Sequence, residues 1–176
     1  MTLSENNADN CRVCEFEQNV GLLRQTRLLA GVPVEALKVF AYLSHRQTFA
    51  ADTYLFRQGA DDGQAFYIIA GRALLVHAHE GREAAVREYG PDEFLGGLAL
   101  MGRMRRLFSL KALTSEVVCL ILSREKFQKA WRQFPDLTPR LLQALLDGIE
   151  AWEKTFLALQ DENRLGCISR AGISVL

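Results

Sequence analysis

Two hydrophobic periods divide the chain. From Glu17 to Leu43 the apolar residues recur at helical spacing. Val20, Leu22, Leu23, Leu28 and Leu29 predict a helix over 17–29 that turns at Gly31. Leu37, Phe40 and Ala41 predict a second over Val34 to Leu43, opened by Pro33. After His45 the period changes. Gln47 to Leu122 breaks into short runs rich in Phe, Tyr, Ile, Val and Leu, punctuated at Gly59, Gly63, Gly71, Gly81 and Gly90. Strands are expected at Arg46 to Ala50, Tyr54 to Arg57, Ala65 to Ile69, Ala73 to His79, Ala84 to Glu88, Leu107 to Leu113 and Val117 to Leu122. Such regular punctuation predicts an α+β fold built on an antiparallel β-roll or jelly roll with short flanking helices.

Beyond the roll the helical period returns. Ser123 is expected to cap a short helix carrying Lys126 and Phe127, and Pro135-Asp136 interrupts the chain before a long helix from Leu137 to Asn163. Apolar residues of that helix sort into heptads, with Leu142, Ile149 and Phe156 at one position and Leu145, Trp152 and Leu159 at the next. A helix of roughly seven turns outreaches a small roll. It is therefore read as a C-terminal dimerisation helix, and a homodimer is expected. The organisation that follows is an N-terminal irregular segment over 1–16, the roll domain over 17–134, the long helix over 135–163 and a short tail over 164–176.

Composition narrows the function classes. The 176 residues are 49% hydrophobic, enough for one real core, and a formal charge of +0 gives no whole-chain attraction to nucleic acid or anionic lipid. No apolar run approaches a bilayer span, and Met1 to Asn19 is polar and acidic, unlike a secretory leader. A cytoplasmic protein without a membrane partner is expected. No Ser/His/Asp or Cys/His set and no paired carboxylates occur at useful spacing, so the protein is not expected to be an enzyme.

The chemistry concentrates in Gly90 to Ala112, where a turn, a glycine pair, an apolar run and a basic cluster precede another strand-like run. Gly96 and Gly97 let a backbone approach a guest closely, Leu98 to Leu100 can open a short helix, and Arg105 or Arg106 can close an anion site. This order resembles the phosphate-binding cassette of cyclic nucleotide-binding domains in the Crp/Fnr superfamily. Phe94, Gly96, Leu98, Ala99 and Leu100 match the cassette, Arg106 falls where the phosphate-binding Arg belongs, and Lys111-Ala112 match the basic-Ala pair beyond it. Gly97 stands where the family has the Glu that binds the ribose 2′-hydroxyl, and Leu107 where it has a Ser or Thr for the phosphate. The resemblance extends over the roll, including Phe66 to Ile69 and Gly71, and implies a signalling or transcription-regulating module. Its expected ligand-binding residues are Gly96, Gly97, Leu98, Ala99, Arg106 and Leu107, with Trp152 or Glu153 covering the guest. The partner of a buried Arg106 is expected to be a guest phosphate or an internal carboxylate such as Glu93. Crp/Fnr regulators continue past the dimer helix into a winged helix-turn-helix domain. RLGCISRAGISVL cannot form one, so direct nucleic-acid binding is not expected and a regulatory protein partner is.

Cys11-x-x-Cys14 with Cys119 resembles the Fnr branch, in which cysteines hold an iron–sulfur cluster. The third ligand position is here Val20, so a cluster would need Glu15 or Glu17 as a substitute, and Cys167 lies in the tail. The reading preferred is a small buried Cys119 and a flexible Cys11 and Cys14 pair, with an iron–sulfur cluster not expected; disulfide formation between Cys11 and Cys14 under oxidation sits between the two readings. His77 and His79 alternate along one strand and share a face, but no third ligand accompanies them. Three functions remain in play: a ligand-sensing module with an altered cassette whose cofactor is unknown but whose guest is anionic or a nucleotide, an interaction dimer with an empty pocket, and an Fnr-like redox sensor.

Overall fold

A computed structural model describes residues 3–161, of which 3–12, 152 and 155–161 are described by backbone alone. The tail predicted over 164–176, with Cys167, lies outside the described residues. Among the described residues, eight strands form two antiparallel four-stranded sheets. One has the order β1 (His45–Ala50), β8 (Glu116–Ser123), β3 (Gln64–Ala70), β6 (Phe94–Leu95), and the other β2 (Tyr54–Phe56), β7 (Ser109–Ala112), β4 (Ala73–His79), β5 (Arg82–Tyr89). The predicted roll is what forms. The two-residue β6 escapes the pattern because so short a run carries no alternation, and the strand expected over Leu107 to Leu113 contracts to Ser109–Ala112.

β3 and β8, the inner strands of the first sheet, are buried on both faces, which explains why they read as continuous apolar runs, whereas the edge strand β1 is mostly exposed. Phe66, Ile68, Val117, Cys119 and Ile121 point between the sheets with Leu75, Leu95 and Leu110. Ala65, Tyr67, Leu120 and Leu122 point the other way into a helical layer. Register locks this alternation, since Phe66 pairs with Ile121 and Tyr67 with Leu120. The Tyr67 hydroxyl, in the buried layer, donates to Asp92 Oδ1 at 2.9 Å.

The helical layer comprises α1 (Leu3–Gln25), α2 (Val34–Leu43) and α4 (Arg124–Trp131). α2 has the bounds its spacing predicts, with Ala36, Leu37, Phe40 and Ala41 buried on one face. Phe40 stacks on Phe127 of α4 with ring centroids 5.1 Å apart, and Phe127 on Trp131 at 5.7 Å. α1 corrects the N-terminal expectation: it begins at Leu3, not Glu17, so the described part of the segment expected to be irregular, 3–16, is helical. Once Val20 and Leu23 dock a helix on the core, each further residue extends it at little cost. Arg46 fastens α1 to the roll, donating to Asn19 at 2.9 Å and Gln18 at 3.1 Å. The helix also ends earlier than expected. Thr26 donates to Leu23 O at 2.7 Å and accepts from Leu29 N at 3.3 Å, turning Arg27–Leu29 into a separate 3-10 turn.

After the 3-10 turn Pro135–Leu137, the long helix α5 runs Thr138–Asp161 and packs against that turn and against Arg27–Leu29. Arg140 donates to Gly31 O at 2.6 Å. Leu141 is buried, and Leu145 leans on the same core, whereas Leu142 and Leu146 are exposed. The heptad pairing of Leu145 with Leu142 is therefore split between core and solvent, because residues four apart share a face more closely than residues three apart. The side chains of Trp152, Phe156 and Leu159 lie outside the described residues.

Candidate functional site

The cassette begins where β6 ends. Gly96 takes φ of 83°, a left-handed conformation in which glycine is at ease, and opens the five-residue helix α3 (Gly97–Met101). Its conformation is one reason for the glycine, and its neighbour is the other. A Cβ at Gly96 would stand 2.6 Å from Arg106 Nη1 and 2.8 Å from Gln64 O. The close approach that Gly96 permits is thus to Arg106 itself.

Arg106 is held by its backbone and its side chain together. Its N–H donates to Ala60 O, and its carbonyl accepts from Gly59 N, both at 2.8 Å, so the residue lies alongside the loop before β3. The whole residue is 3% exposed. Its guanidinium carbon sits 4.2 Å from the ring centre of Phe56 and 6.0 Å from that of Phe66, two cation–π contacts in a desolvated setting. Nη2 donates to Asp62 Oδ1 at 2.7 Å, Nε to Asp62 Oδ2 at 3.1 Å, and Nη2 also to Gln64 O. Asp62 Oδ1 accepts a further bond from Gln64 N at 3.0 Å. A buried cation needs such a fork of partners to be stable. The internal carboxylate is therefore Asp62, and the expectation of Glu93 is corrected. Glu93 instead accepts from Arg87 at 2.7 Å and Gly90 N at 2.6 Å, closing its own turn.

One edge of the fork is left over. Asp62 and Gln64 take Nε and Nη2, while Nη1 faces Gly96 and has no hydrogen bond among those described. Gly97 and Ala99 are buried and Leu98 is half-buried around it, whereas Arg103, Arg105 and Leu107 are exposed. Leu107 is 55% exposed and brings no hydroxyl to the site, and Gly97 brings no carboxylate. Glu153 is exposed on α5. The site as described is thus a single positioned guanidinium edge beside a glycine-opened helical turn.

A second aspartate and a second arginine adjoin the first pair. Asp61 is gripped by both ends of the Arg124 guanidinium, Nη1 at 3.3 Å and Nη2 closer still, and that hydrogen bonding holds its carboxyl below the usual carboxylate range. Arg124 Nε donates to Ala99 O at 2.6 Å, and Gln128 Nε2 donates to Leu100 O at 3.2 Å and Met101 O at 3.0 Å, so α4 satisfies the free carbonyls of α3. Ser123 occupies the N-cap of α4 without a side-chain cap bond, contrary to expectation, and Arg124 N instead donates to Gly63 O at 2.6 Å. Asp61, Asp62, Gln64 and Arg124 were not legible as site residues. The available signal was the Asp-Asp-Gly at 61–63 ahead of an apolar strand, together with the need of any buried Arg for an anion.

The remaining candidates lie apart. Cys119 is buried between the sheets, and burial pushes its thiol up to about 12, while Cys14 is exposed on α1. The side chain of Cys11 lies outside the described residues. Glu15 is 3.6 Å from Arg46. His77 and His79 do share a face, their rings stacked at 6.3 Å, and no group of three His, Cys, Asp or Glu that could hold a metal occurs among the described residues. No helix among them is long and apolar enough to cross a membrane.

Comparison with known proteins places this geometry in a family. The chain is 28% identical over 117 residues to cGMP-dependent protein kinase, isozyme 1, of Drosophila melanogaster, an alignment covering 65% of this chain and 15% of the kinase. The chain thus spans well under a fifth of the curated relatives it matches. Among solved structures it superposes on the N-terminal domain of a transcriptional regulator from Streptomyces coelicolor A3(2) with a TM-score of 0.66, 26% identity, and coverage of 74% of this chain and 93% of that one. A cyclic nucleotide-binding-like protein from Brucella abortus gives 0.61 and 26%, with 65% and 98% covered. The cyclic nucleotide-binding domain pattern matches residues 46–134, half of the chain and all of the roll but His45, with Gly96 and Arg106 inside it. The chain belongs to the cyclic nucleotide-binding domain family.

Proposed function

We propose that this protein is a regulatory, ligand-sensing module of the cyclic nucleotide-binding type that takes an anionic guest at Arg106 and discriminates poorly in favour of cyclic nucleotides. The observation that carries this reading is the orientation of Arg106. Asp62 fixes its Nε and Nη2 and leaves Nη1, packed beside Gly96, without a hydrogen bond among those described, a donor still open to a phosphate oxygen. A pre-positioned donor binds without first being ordered. Affinity for cAMP or cGMP is low because Gly97 offers the ribose no acceptor and Leu107 offers the phosphate no hydroxyl, each lost bond being worth about 1 kcal/mol net. Signalling runs through a homodimer on α5 or through a regulatory protein partner.

Thermal melts and calorimetry of the full chain with cAMP, cGMP and inorganic phosphate test the reading. The expected result is a rise in melting temperature with a phosphate-bearing guest and affinities for both cyclic nucleotides weaker than micromolar. A submicromolar cAMP affinity would overturn the selectivity argument, and a melting point that none of these anions raises would favour the interaction dimer with an empty pocket.

A further inference from the structure

A whole-chain charge of zero conceals a segregation. Residues 101–140 hold nine Lys and Arg against three Asp and Glu, a net of +6, whereas 1–100 hold nine against thirteen, −4, and 141–176 three against five, −2. Four of the nine cations are engaged within the chain: Arg106 on Asp62, Arg124 on Asp61, Lys111 on Asp52 and Arg140 on Gly31 O. The other five are Arg103, Arg105, Lys126, Lys129 and Arg132. All five are exposed, and their side chains make no hydrogen bond or ion pair among those described. They come from two adjoining elements. Lys126, Lys129 and Arg132 recur every third residue along the solvent side of α4, opposite the buried Phe127 and Ala130. The loop bearing Arg103 and Arg105 lies against that helix, because Arg124 and Gln128 donate to the carbonyls of Ala99, Leu100 and Met101 just before it. Arg103 also acts on Asp61, the carboxylate that Arg124 grips. Glu125 is the one acid of α4, and the loop ends on Leu107, which is 55% exposed.

We propose that the loop 103–107 and the solvent side of α4 form a docking surface for an anionic lipid bilayer, with the five cations over the headgroups and Leu107 set among them. The inference goes beyond the reading of Arg106 and needs no guest. Clusters of about four to eight Lys and Arg on a loop or helix are what anionic headgroups attract. Here the acidic remainder of the chain is repelled by the same surface, so the molecule is turned with this face leading. An exposed leucine between cations gains from a bilayer, whose interface takes up apolar side chains, and gains nothing from a phosphate backbone. Nucleic acid fits less well for a second reason. The aromatic rings of these two elements and their flanks, Phe108, Phe127 and Trp131, are buried or half-buried, and none stands out to stack on a base.

Co-sedimentation of the full chain with vesicles tests the surface, one set made of phosphatidylcholine alone and the other of phosphatidylcholine mixed with phosphatidylserine. Binding is expected only to the mixed vesicles, and it should vanish near about 1 M salt, where charges are screened within about 3 Å. Each cation at such a surface is worth about fivefold in affinity. The triple variant Lys126→Gln, Lys129→Gln and Arg132→Gln should therefore bind roughly 100-fold more weakly while melting as wild type does, since all three side chains are exposed. Leu107→Ser should weaken binding as well. Arg24→Gln with Arg27→Gln, exposed cations outside this face, should leave it unchanged. Equal binding to both vesicle types, binding to neither, or a triple variant that binds like wild type would overturn the proposal. Retention of duplex DNA at a salt concentration where the mixed vesicles are not bound would give the face to nucleic acid and overturn it too.

Discussion

Gly96 and Arg106 are fitted to one another: a methyl group on the glycine would come within 2.6 Å of Nη1, and the guanidinium has nowhere to retreat while Asp62 grips its other edge. Gly96→Ala therefore meets both a left-handed backbone, which costs an L-residue about 1–2 kcal/mol, and a clash in a packed site, which costs about 1–3 kcal/mol. A loss of roughly 2–5 kcal/mol in urea unfolding is expected. A loss below about 1 kcal/mol would mean that the loop relaxes freely and that the contact does not position Arg106.

Arg106→Ala is expected to destabilise the protein in plain buffer as well as remove any anion-dependent stabilisation. The substitution leaves Asp62, whose side chain is 21% exposed, without its cation and empties the space over Phe56. A loss of about 2–3 kcal/mol follows, discounted from the fully buried case because Asp62 keeps some solvent. Arg106→Lys, which keeps the charge but not the fork, should recover part of it. An Arg106→Ala protein as stable as wild type, measured by denaturant unfolding, would refute the pairing.

Alkaline pH should weaken the fold in a defined window. Burial first, and the Asp92 carboxylate second, push the Tyr67 hydroxyl from 10.0 up to about 12. The native state thus holds a proton that the unfolded chain releases. Its contribution is complete below pH 10 and falls as pH rises from 10 through about 12. Tyr67→Phe should flatten this limb by one proton in a pH series of chemical unfolding. Identical limbs in the two proteins would show that Tyr67 ionises equally in both states.

The α5 seam predicts self-association through Leu142, Leu146 and Ile149, with Leu145 kept for the core of its own chain. Light scattering at micromolar concentration should give a dimer mass. The double substitution Leu142→Glu and Leu146→Glu should give a monomer with unchanged helicity, since both side chains are exposed within one chain. A wild type that is monomeric throughout would remove α5 as the dimer helix.

Local pattern determined much of this protein. The runs around Phe66 and Val117 marked strands, and the spacing of Leu37, Phe40 and Ala41 set α2 residue for residue, because burial periodicity is a property of neighbours along the chain. The same holds for the cassette, whose Gly96 and Arg106 stand ten positions apart. Contacts between distant residues had no such signature. Asp62 meets Arg106 across 44 positions and Arg124 meets Asp61 across 63, and no spacing rule separates these aspartates from any solvated pair. Only the folded roll, by burying Arg106 against Phe56 and bringing the loop before β3 alongside it, decided which carboxylate would answer the charge and which guanidinium edge would stay open. The face of α5 was settled in the same way, since heptads give a stripe but only docking on Arg27–Leu29 turns Leu141 and Leu145 inward and leaves Leu142 outside.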